Sequence, residues 1–166
     1  MAKLINGRGQ LGQELRKLIT HRTRDVLIYH TWSVLDKSEL AQKKEYNRFT
    51  EFVDANKDKK IIFVSTASQR ETYYTRYKHL SEAYLLLHCP RGLTIRLPMI
   101  VGKGVLPNIK NGKLKPYGEM ELITLENSAK EVMKLIHYEG LIKSFSIRGT
   151  KVESDLVKEI LMVEEA

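Results

Sequence analysis

The sequence has only one cysteine, Cys89, among 166 residues. An intrachain disulfide is therefore excluded, and the thiolate cluster of a typical structural zinc site is missing. The sequence also lacks any run of about eighteen apolar residues, the length that crosses a bilayer. Its first residues pass into Lys3-Leu4-Ile5 without the apolar segment and cleavage site of a secretory signal. These features predict a protein of the reducing cytoplasm with no metal site and no membrane partner.

Basic residues exceed acidic ones, and the formal net charge is +8. Such a charge favours polyanionic partners. The basic residues are nevertheless spread along the chain, with short clusters only at residues 57–60 and 110–115, and no aromatic–basic RNA-binding pattern occurs. We therefore interpret them mainly as a solvated surface that is compatible with a phosphate-bearing small molecule. A nucleic-acid-binding protein is the less favoured alternative.

Apolar segments of strand length alternate with segments of helical periodicity, which predicts a parallel sheet with right-handed crossovers. The strands are predicted at residues 3–5, 26–30, 60–64, 93–97 and 144–147. Helices are predicted after residue 11 and at residues 38–56, 74–88 and 126–138. A last helix through Val163 is predicted from the capping-box spacing of Thr150 and Glu153, and residues 103–118 are predicted to be mainly loop. The predicted buried positions are Leu40, Phe49, Phe52 and Val53 on the second helix and Tyr77, Leu80, Tyr84 and Leu87 on the third.

A glycine-rich string near the start reads Gly-Arg-Gly-Gln-Leu-Gly from Gly7 to Gly12. The short apolar segment before it and the helical spacing of Leu11, Leu15 and Leu18 after it give the string a strand–turn–helix context. In that context glycines let the backbone approach a phosphate, and the helix N-terminus offers free N–H groups. A plain turn before a helix is the alternative, and Arg8 would either contact a phosphate or remain in solvent.

A second candidate site follows the strand predicted at residues 60–64. Ser65 and Thr66 end that strand, and Tyr74 and Lys78 lie four residues apart, hence on one face of the next helix. A nearby ammonium favours the phenolate form of a tyrosine, so the group predicts proton transfer at a carbonyl or alcohol. A Tyr-x-x-x-Lys pair is expected about once by chance in such a composition. The prediction therefore depends on the position of the pair directly after the strand.

The order of these segments resembles the extended short-chain dehydrogenase/reductase family of nucleotide-sugar epimerases, dehydratases and reductases. Residues 9–12 resemble the glycine turn of its dTDP-4-dehydrorhamnose reductase branch, and residues 25–30 and 62–66 resemble its fourth and fifth strands. Tyr74 and Lys78 stand where the family carries its catalytic pair. Residues 94–98 with Gly102 are similar to the sixth strand and its loop, and residues 122–132 to a segment that usually reads Asp-Val-Ala. The family has two further strands where this chain has only residues 20–24.

The resemblance implies a Rossmann-like α/β fold, a parallel sheet of about four or five strands flanked by helices, reduced in strand number. Residues 1–166 would form one domain, with a dinucleotide-binding core at 1–102 and a reduced substrate-side segment at 103–166. It further implies NAD or NADP as cofactor and a homodimer formed through the helices at 38–56 and 74–88. The implied cofactor-binding residues are Gly7, Arg8, Gly9, Gln10, Leu11, Gly12, His30, Lys78 and Pro98.

We therefore expect an NAD(P)-dependent oxidoreductase or epimerase-like protein that acts on a nucleotide-sugar or a similar carbonyl or alcohol. Its catalytic residues would be Tyr74, Lys78 and either Thr66 or Ser65. The alternative is a non-catalytic binding or regulatory module, because the strands of the adenosine side are lacking. For His30 the alternative is a hydrogen-bonded residue at a strand end, and Trp32 is expected in the core rather than as a stacking platform.

Overall fold

A computed structural model of the chain describes residues 9–19, 26–101, 111, 119–153 and 155–156. In chain order its elements are α1 (Gln10–Leu18), β1 (Val26–Tyr29), α2 (Glu39–Ala55), β2 (Lys60–Thr66), α3 (Tyr73–His88), β3 (Leu93–Leu97), β4 (Met99–Val101), β5 (Glu119–Thr124), α4 (Leu125–Lys134), β6 (Ser144–Ser146) and β7 (Thr150–Glu153). No helix among the described residues is long and apolar enough to cross a membrane.

Among the described residues, the main sheet contains four strands in the order β1-β2-β3-β6, and every neighbouring pair is parallel. Four helices flank this sheet, so the predicted α/β class with a reduced, Rossmann-like parallel sheet is confirmed. The smaller second sheet has the order β4-β5-β7, in which β5 runs parallel to β4 and antiparallel to β7. The strand predicted at residues 3–5 lies outside the described residues.

Side-chain alternation along the strands divides the core into two layers. Val26, Ile28, Ile62 and Val64 pack with α1 and α4 on one face of the main sheet. On the other face lie Leu27, Tyr29, Ile61 and Phe63, which pack with Phe49 and Val53 of α2 and Leu85 of α3. Because both faces are covered by helices, each strand is apolar on both sides.

Local signals fix where the flanking helices begin. Ser38 caps α2 by accepting a hydrogen bond from the Ala41 amide at 3.3 Å. A capping box formed by Thr72 and Thr75 starts α3. These caps fix the residues at which α2 and α3 begin, and α3 begins a short loop after the end of β2.

The buried lysine Lys60 lies at the opposite end of β2, where the strand begins. Its Nζ donates to the Ile136 carbonyl at 2.9 Å and to the Tyr138 carbonyl, in the turns that follow α4. Burial lowers the pKa of Lys60, while the carboxylate of Glu139, 3.6 Å away, opposes this effect. Lys60 thus supplies a hydrogen-bond donor to backbone carbonyl groups beyond the end of α4, where no helical donor is available.

The buried stripe predicted for α3 is wrong at its two leucines, whereas its two tyrosines pack against the core. Leu80 is 45% and Leu87 is 80% exposed, and Tyr77 and Tyr84 are half-buried. On α2, Leu40 is likewise exposed, whereas Phe49 and Val53 are buried as predicted and Phe52 is half-buried. Helical periodicity identified an apolar stripe but could not show which side of α3 faces the sheet.

The sheet-facing side of α3 is largely polar, with Leu85 as its one apolar member among the buried residues of the helix. The other members are Thr75, Lys78, Ser81 and Glu82. Each of these polar side chains has a hydrogen-bond partner within the protein, which makes its burial tolerable.

The predicted final segments need correction as well. Thr150 and Glu153 do not cap a helix, because residues 150–153 form β7 and pair with β5. Of the helix predicted to follow, only Asp155 and Leu156 are described, and both are helical. The strands β4 and β5 were not predicted, and α4 ends at Lys134, before the predicted boundary. Within the predicted loop at 103–118, only Asn111 is described.

Cys89, at the end of α3, allows a test of this packing by pH. Burial raises the pKa of its thiol above the ordinary value of 9.0. Above that pH the unfolded chain ionises the thiol while the folded chain keeps it protonated, so the unfolding free energy falls as pH rises. Urea denaturation at several pH values should show the wild type losing stability relative to Cys89→Ala between pH 8 and about pH 10. A constant difference between the two proteins would contradict the burial of the thiol.

Candidate functional site

The predicted proton-transfer residues meet at the edge of the main sheet where β2 ends. Lys78 is 5% exposed, and its Nζ donates to the Val64 carbonyl at 3.1 Å. The Tyr74 ring, one helical turn before Lys78, lies 5.3 Å from Nζ, measured to the ring centroid. Tyr74 is half-buried, and its hydroxyl makes no hydrogen bond to another described residue. The lysine and the tyrosine predicted from the sequence are therefore in contact.

Two more aromatic rings enclose the Lys78 ammonium. The centroids of Trp32 and Phe63 lie 5.5 Å and 5.6 Å from Nζ. Cations are attracted to aromatic faces within about 6 Å. The three rings and the Val64 carbonyl therefore compensate part of the solvation that the ammonium loses on burial.

Trp32 is held in this position by Gln42 of α2. The indole Nε1 donates to Gln42 Oε1 at 2.6 Å, and Gln42 Nε2 donates to the carbonyls of Ser33 and Asp36. Gln42 is fully buried and ties the segment after β1 to α2. The expectation that Trp32 lies in the core is confirmed, and the same ring also contacts Lys78.

Ser65 and Thr66 lie on opposite faces of β2, because neighbouring side chains alternate along a strand. Ser65 shares the face of Phe63, towards α3, and its buried Oγ has no hydrogen-bond partner among the described residues. Thr66 is half-buried at the strand end, and its Oγ1 accepts from the Ser68 amide at 3.1 Å. Ser65 thus lies nearer to the Lys78 side, whereas Thr66 is more accessible to a substrate.

The described part of the glycine string forms the start of α1. Gly9 is its N-cap residue, without a side chain to cap the first amides, and no acidic residue occurs in the first turn. A Cβ added at Gly9 would meet nothing within 4 Å among the described residues. A Cβ at Gly12 would lie 2.7 Å from His30 Nε2, so a larger residue there would have to displace the imidazole. Gly7 and Arg8 lie outside the described residues.

An ion pair joins α3 to β3 beside Lys78. Glu82 is buried and accepts from Arg96 Nε at 3.0 Å and from its second terminal nitrogen at 2.7 Å. The hydrogen bonds to Glu82 raise the pKa of Arg96. Sequence reasoning missed this pair and Gln42. The spacing of Glu82, four residues after Lys78, was an available signal, but its partner is distant in sequence.

Pro98 is buried and separates β3 from β4. A Cβ at Gly149 would lie 3.1 Å from its ring and 2.3 Å from the Leu122 carbonyl oxygen. Pro98 therefore packs where the two sheets meet. Its predicted contact with a cofactor stays a prediction.

Comparisons with known proteins identify the fold. No family model matches the chain, and no match was found among curated proteins. Among solved structures, a UDP-N-acetylglucosamine 4-epimerase from Bacillus cereus is similar with a TM-score of 0.72 at 13% identity, over 93% of this chain and 77% of that one.

Two dTDP-4-dehydrorhamnose reductases show the same similarity. The structure from Clostridium acetobutylicum has a TM-score of 0.71 at 16% identity, over 98% of this chain and 79% of the other. The structure from Bacillus anthracis, a complex with NADP, has a TM-score of 0.71 at 12% identity, over 98% and 80%. At these identities the comparisons establish the fold, and they agree with the resemblance seen in the sequence.

Replacement of Lys78 distinguishes a functional from a structural role for the buried ammonium. Lys78→Met removes a desolvated charge but leaves the Val64 carbonyl without its donor, and these two effects oppose each other. We expect the unfolding free energy to change by less than about 1 kcal/mol, measured by urea denaturation. A loss of several kcal/mol would show that Lys78 is retained for stability.

Proposed function

We propose that the protein binds NAD or NADP and catalyses an oxidoreductase or epimerase-like reaction on a nucleotide-linked sugar or a similar carbonyl or alcohol, in the cytoplasm. The observation that carries this proposal is the contact between the buried Lys78 ammonium and the Tyr74 ring at the carboxyl edge of a parallel sheet. Ligands of open α/β sheets bind at this edge. The cysteine content supports the proposed location.

The glycine turn fits the phosphates of a dinucleotide. The N-terminus of α1 lies at the same edge as Tyr74 and Lys78, since His30, which follows β1, packs against Gly12. Free amides and the helix dipole favour an anion at that terminus. No described residue comes within 4 Å of a Cβ built at Gly9, which supports the access of a phosphate to these amides. His30 would border the bound cofactor, and Gly7, Arg8 and Pro98 remain candidate contacts.

Residues of the chain would bind the ribose, transfer the proton and orient the substrate. Lys78 has three donor positions and uses one on the Val64 carbonyl, so it can also donate to a cofactor ribose. Tyr74 would exchange a proton with the substrate oxygen. Either Ser65, whose buried Oγ lies on the Lys78 side and has no partner among the described residues, or Thr66 at the strand end would orient the same oxygen. The bound nicotinamide would supply or accept the hydride.

The second sheet supports a place for the substrate. β4 follows Pro98 directly, so β4, β5 and β7 extend from the edge that carries the site. We propose that residues 103–166 form a reduced substrate-side segment next to the dinucleotide-binding core at residues 1–102. The whole would be one domain.

The chain's single tryptophan allows a direct test of cofactor binding. Trp32 contacts Lys78, so NADH and NADPH should quench its emission when they bind. Tyr74→Phe should leave the dissociation constant within about threefold and lower kcat by at least about a hundredfold, because it removes only the proton-transfer group. Tyr73→Phe, at the adjacent and exposed position, is the matched control and should retain full activity.

Two results would contradict the proposal. If neither NADH nor NADPH binds at millimolar concentration, the proposed cofactor is wrong. If Tyr74→Phe leaves turnover unaffected, the proposed catalytic role of the tyrosine is wrong. Candidate nucleotide sugars should be tested in both reaction directions.

The second candidate function is a non-catalytic binding or regulatory module. The enclosure of the Lys78 ammonium by three rings and a carbonyl favours it, because a group so well compensated has less to gain from a ligand. This candidate predicts cofactor or nucleotide-sugar affinity without hydride transfer.

We also propose that the protein forms a homodimer through the outer face of α2 and α3. Apolar side chains repeat along α3 at alternating spacings of four and three residues, the pattern of a helix that packs on other helices. They are Tyr73, Tyr77, Leu80, Tyr84 and Leu87. Since Leu80 and Leu87 are exposed in the single chain, a second copy would cover them.

Sedimentation velocity tests the dimer. Leu80→Lys places a charge in the centre of this stripe and should convert the dimer to a monomer at micromolar protein. Leu141→Lys is the matched control, because Leu141 is 96% exposed but lies outside α3. A monomeric wild type, or a Leu80→Lys protein that remains dimeric, would contradict the interface.

A further inference from the structure

The structure assigns Glu82 and Arg96 as a positioning pair that sets where α3 holds Lys78 and Tyr74 against the end of β2. This inference rests on the proposed function, because it gives the pair a role in that site. Neither residue is placed in contact with the substrate or the cofactor. Their effect would pass through the position of the helix.

The hydrogen bonds between Arg96 and Glu82 fix the relative orientation of the two side chains. Arg96 Nε donates to both carboxylate oxygens of Glu82, at 3.0 Å and 3.2 Å, and a terminal nitrogen donates to Oε2 at 2.7 Å. Multiple charge-assisted hydrogen bonds of this kind fix orientation as well as distance. Glu82 is buried, so solvent competes little for these bonds.

The pair lies one helical turn along α3 from Lys78 and joins the helix to β3. Tyr74, Lys78 and Glu82 follow one another at four-residue intervals on α3 and share one side of the helix. On β3, Arg96 is the register partner of Ser65, the residue that follows Val64. The pair therefore attaches α3 to the sheet one residue from the carbonyl that Lys78 contacts.

Apolar packing alone does not define the rotation of α3. Among its buried residues only Leu85 is apolar, Leu80 and Leu87 are exposed, and Tyr77 and Tyr84 contact the Tyr46 ring of α2. Hydrophobic burial is non-directional, whereas the Glu82–Arg96 bonds tolerate little rotation. We infer that these bonds, more than the core, keep the Lys78 ammonium on the Val64 carbonyl and the Tyr74 ring beside it.

The experiment compares Glu82→Gln with Glu139→Gln. The control breaks the Glu139 contacts with Lys60 and Arg91 at the opposite edge of the sheet. Circular dichroism and thermal unfolding establish that both variants are folded at the assay temperature. At saturating NADH and nucleotide sugar, Glu82→Gln should lower kcat about ten- to hundredfold with KM values within about threefold, as expected for misplaced catalytic groups. Glu139→Gln should leave kcat unchanged.

A second measurement, by nuclear magnetic resonance, does not require catalytic turnover. The single tryptophan gives one indole N–H resonance in a proton–nitrogen correlation spectrum, and Lys78 lies 5.5 Å from that ring. Glu82→Gln should move this resonance in the same direction as Lys78→Met, whereas Glu139→Gln should not move it. Arg96→Gln should reproduce the effect of Glu82→Gln. The double variant Glu82→Gln/Arg96→Gln should lower kcat no more than either single variant does, because the two residues act as a unit.

The outcomes separate this inference from the proposed function. A folded Glu82→Gln protein with unchanged kcat and an unmoved indole resonance would overturn the positioning role, as would additive losses in the double variant. If the wild type shows no turnover, the proposed function fails, and the resonance alone then decides whether the pair positions Lys78. If Glu82→Gln does not fold, Arg96→Lys, which keeps the charge but loses the forked geometry, should shift the resonance, and an unshifted resonance would overturn the inference.

Discussion

A lysine ammonium buried between β2 and α3 is the constraint on which the site depends. Removal of such a charge from water is costly unless it is paired or hydrogen-bonded. Lys78 meets this requirement with the Val64 carbonyl and the rings of Trp32, Phe63 and Tyr74. These groups come from β2, α3 and the segment after β1, so the surrounding structure must bring these three parts of the chain together.

The polar side of α3 follows from the same constraint. A helix that presents Lys78 and Glu82 to a sheet cannot rely on an apolar stripe there, so directional bonds replace it. The Arg96 guanidinium supplies them from β3, and Gln42 of α2 fixes Trp32 by a similar hydrogen-bonded contact. Leu80 and Leu87 of α3 are then left exposed.

Much of the fold could be predicted because strand and helix periodicities are local signals. Short apolar segments predicted the strands observed at Val26–Tyr29, Lys60–Thr66 and Leu93–Leu97. Helical spacing of apolar residues predicted the helices between them. Strand β5 was missed because its residues, Glu119–Thr124, mix charged and apolar types and are mostly half-buried. Thr150 and Glu153 show that capping-box spacing does not define a helix when an antiparallel partner strand is present.

The candidate site was only partly predictable. Tyr74 and Lys78 follow from helical spacing, and the glycines from the context of a turn before α1. The partners of Lys78 and Glu82 could not be predicted, because Trp32 and Arg96 are distant in sequence and are brought near by the parallel crossovers. The orientation of α3 was wrong for a physical reason: its most apolar side is not the side that packs on the sheet.

The most direct test of the account is a crystal structure of the protein grown with NADH. The account predicts the pyrophosphate at the N-terminus of α1, near Gly9, and a ribose hydroxyl within hydrogen-bond distance of Lys78 Nζ. A structure in which the dinucleotide lies elsewhere, or in which Lys78 contacts only the Val64 carbonyl and its three rings while NADH occupies another surface, would contradict it.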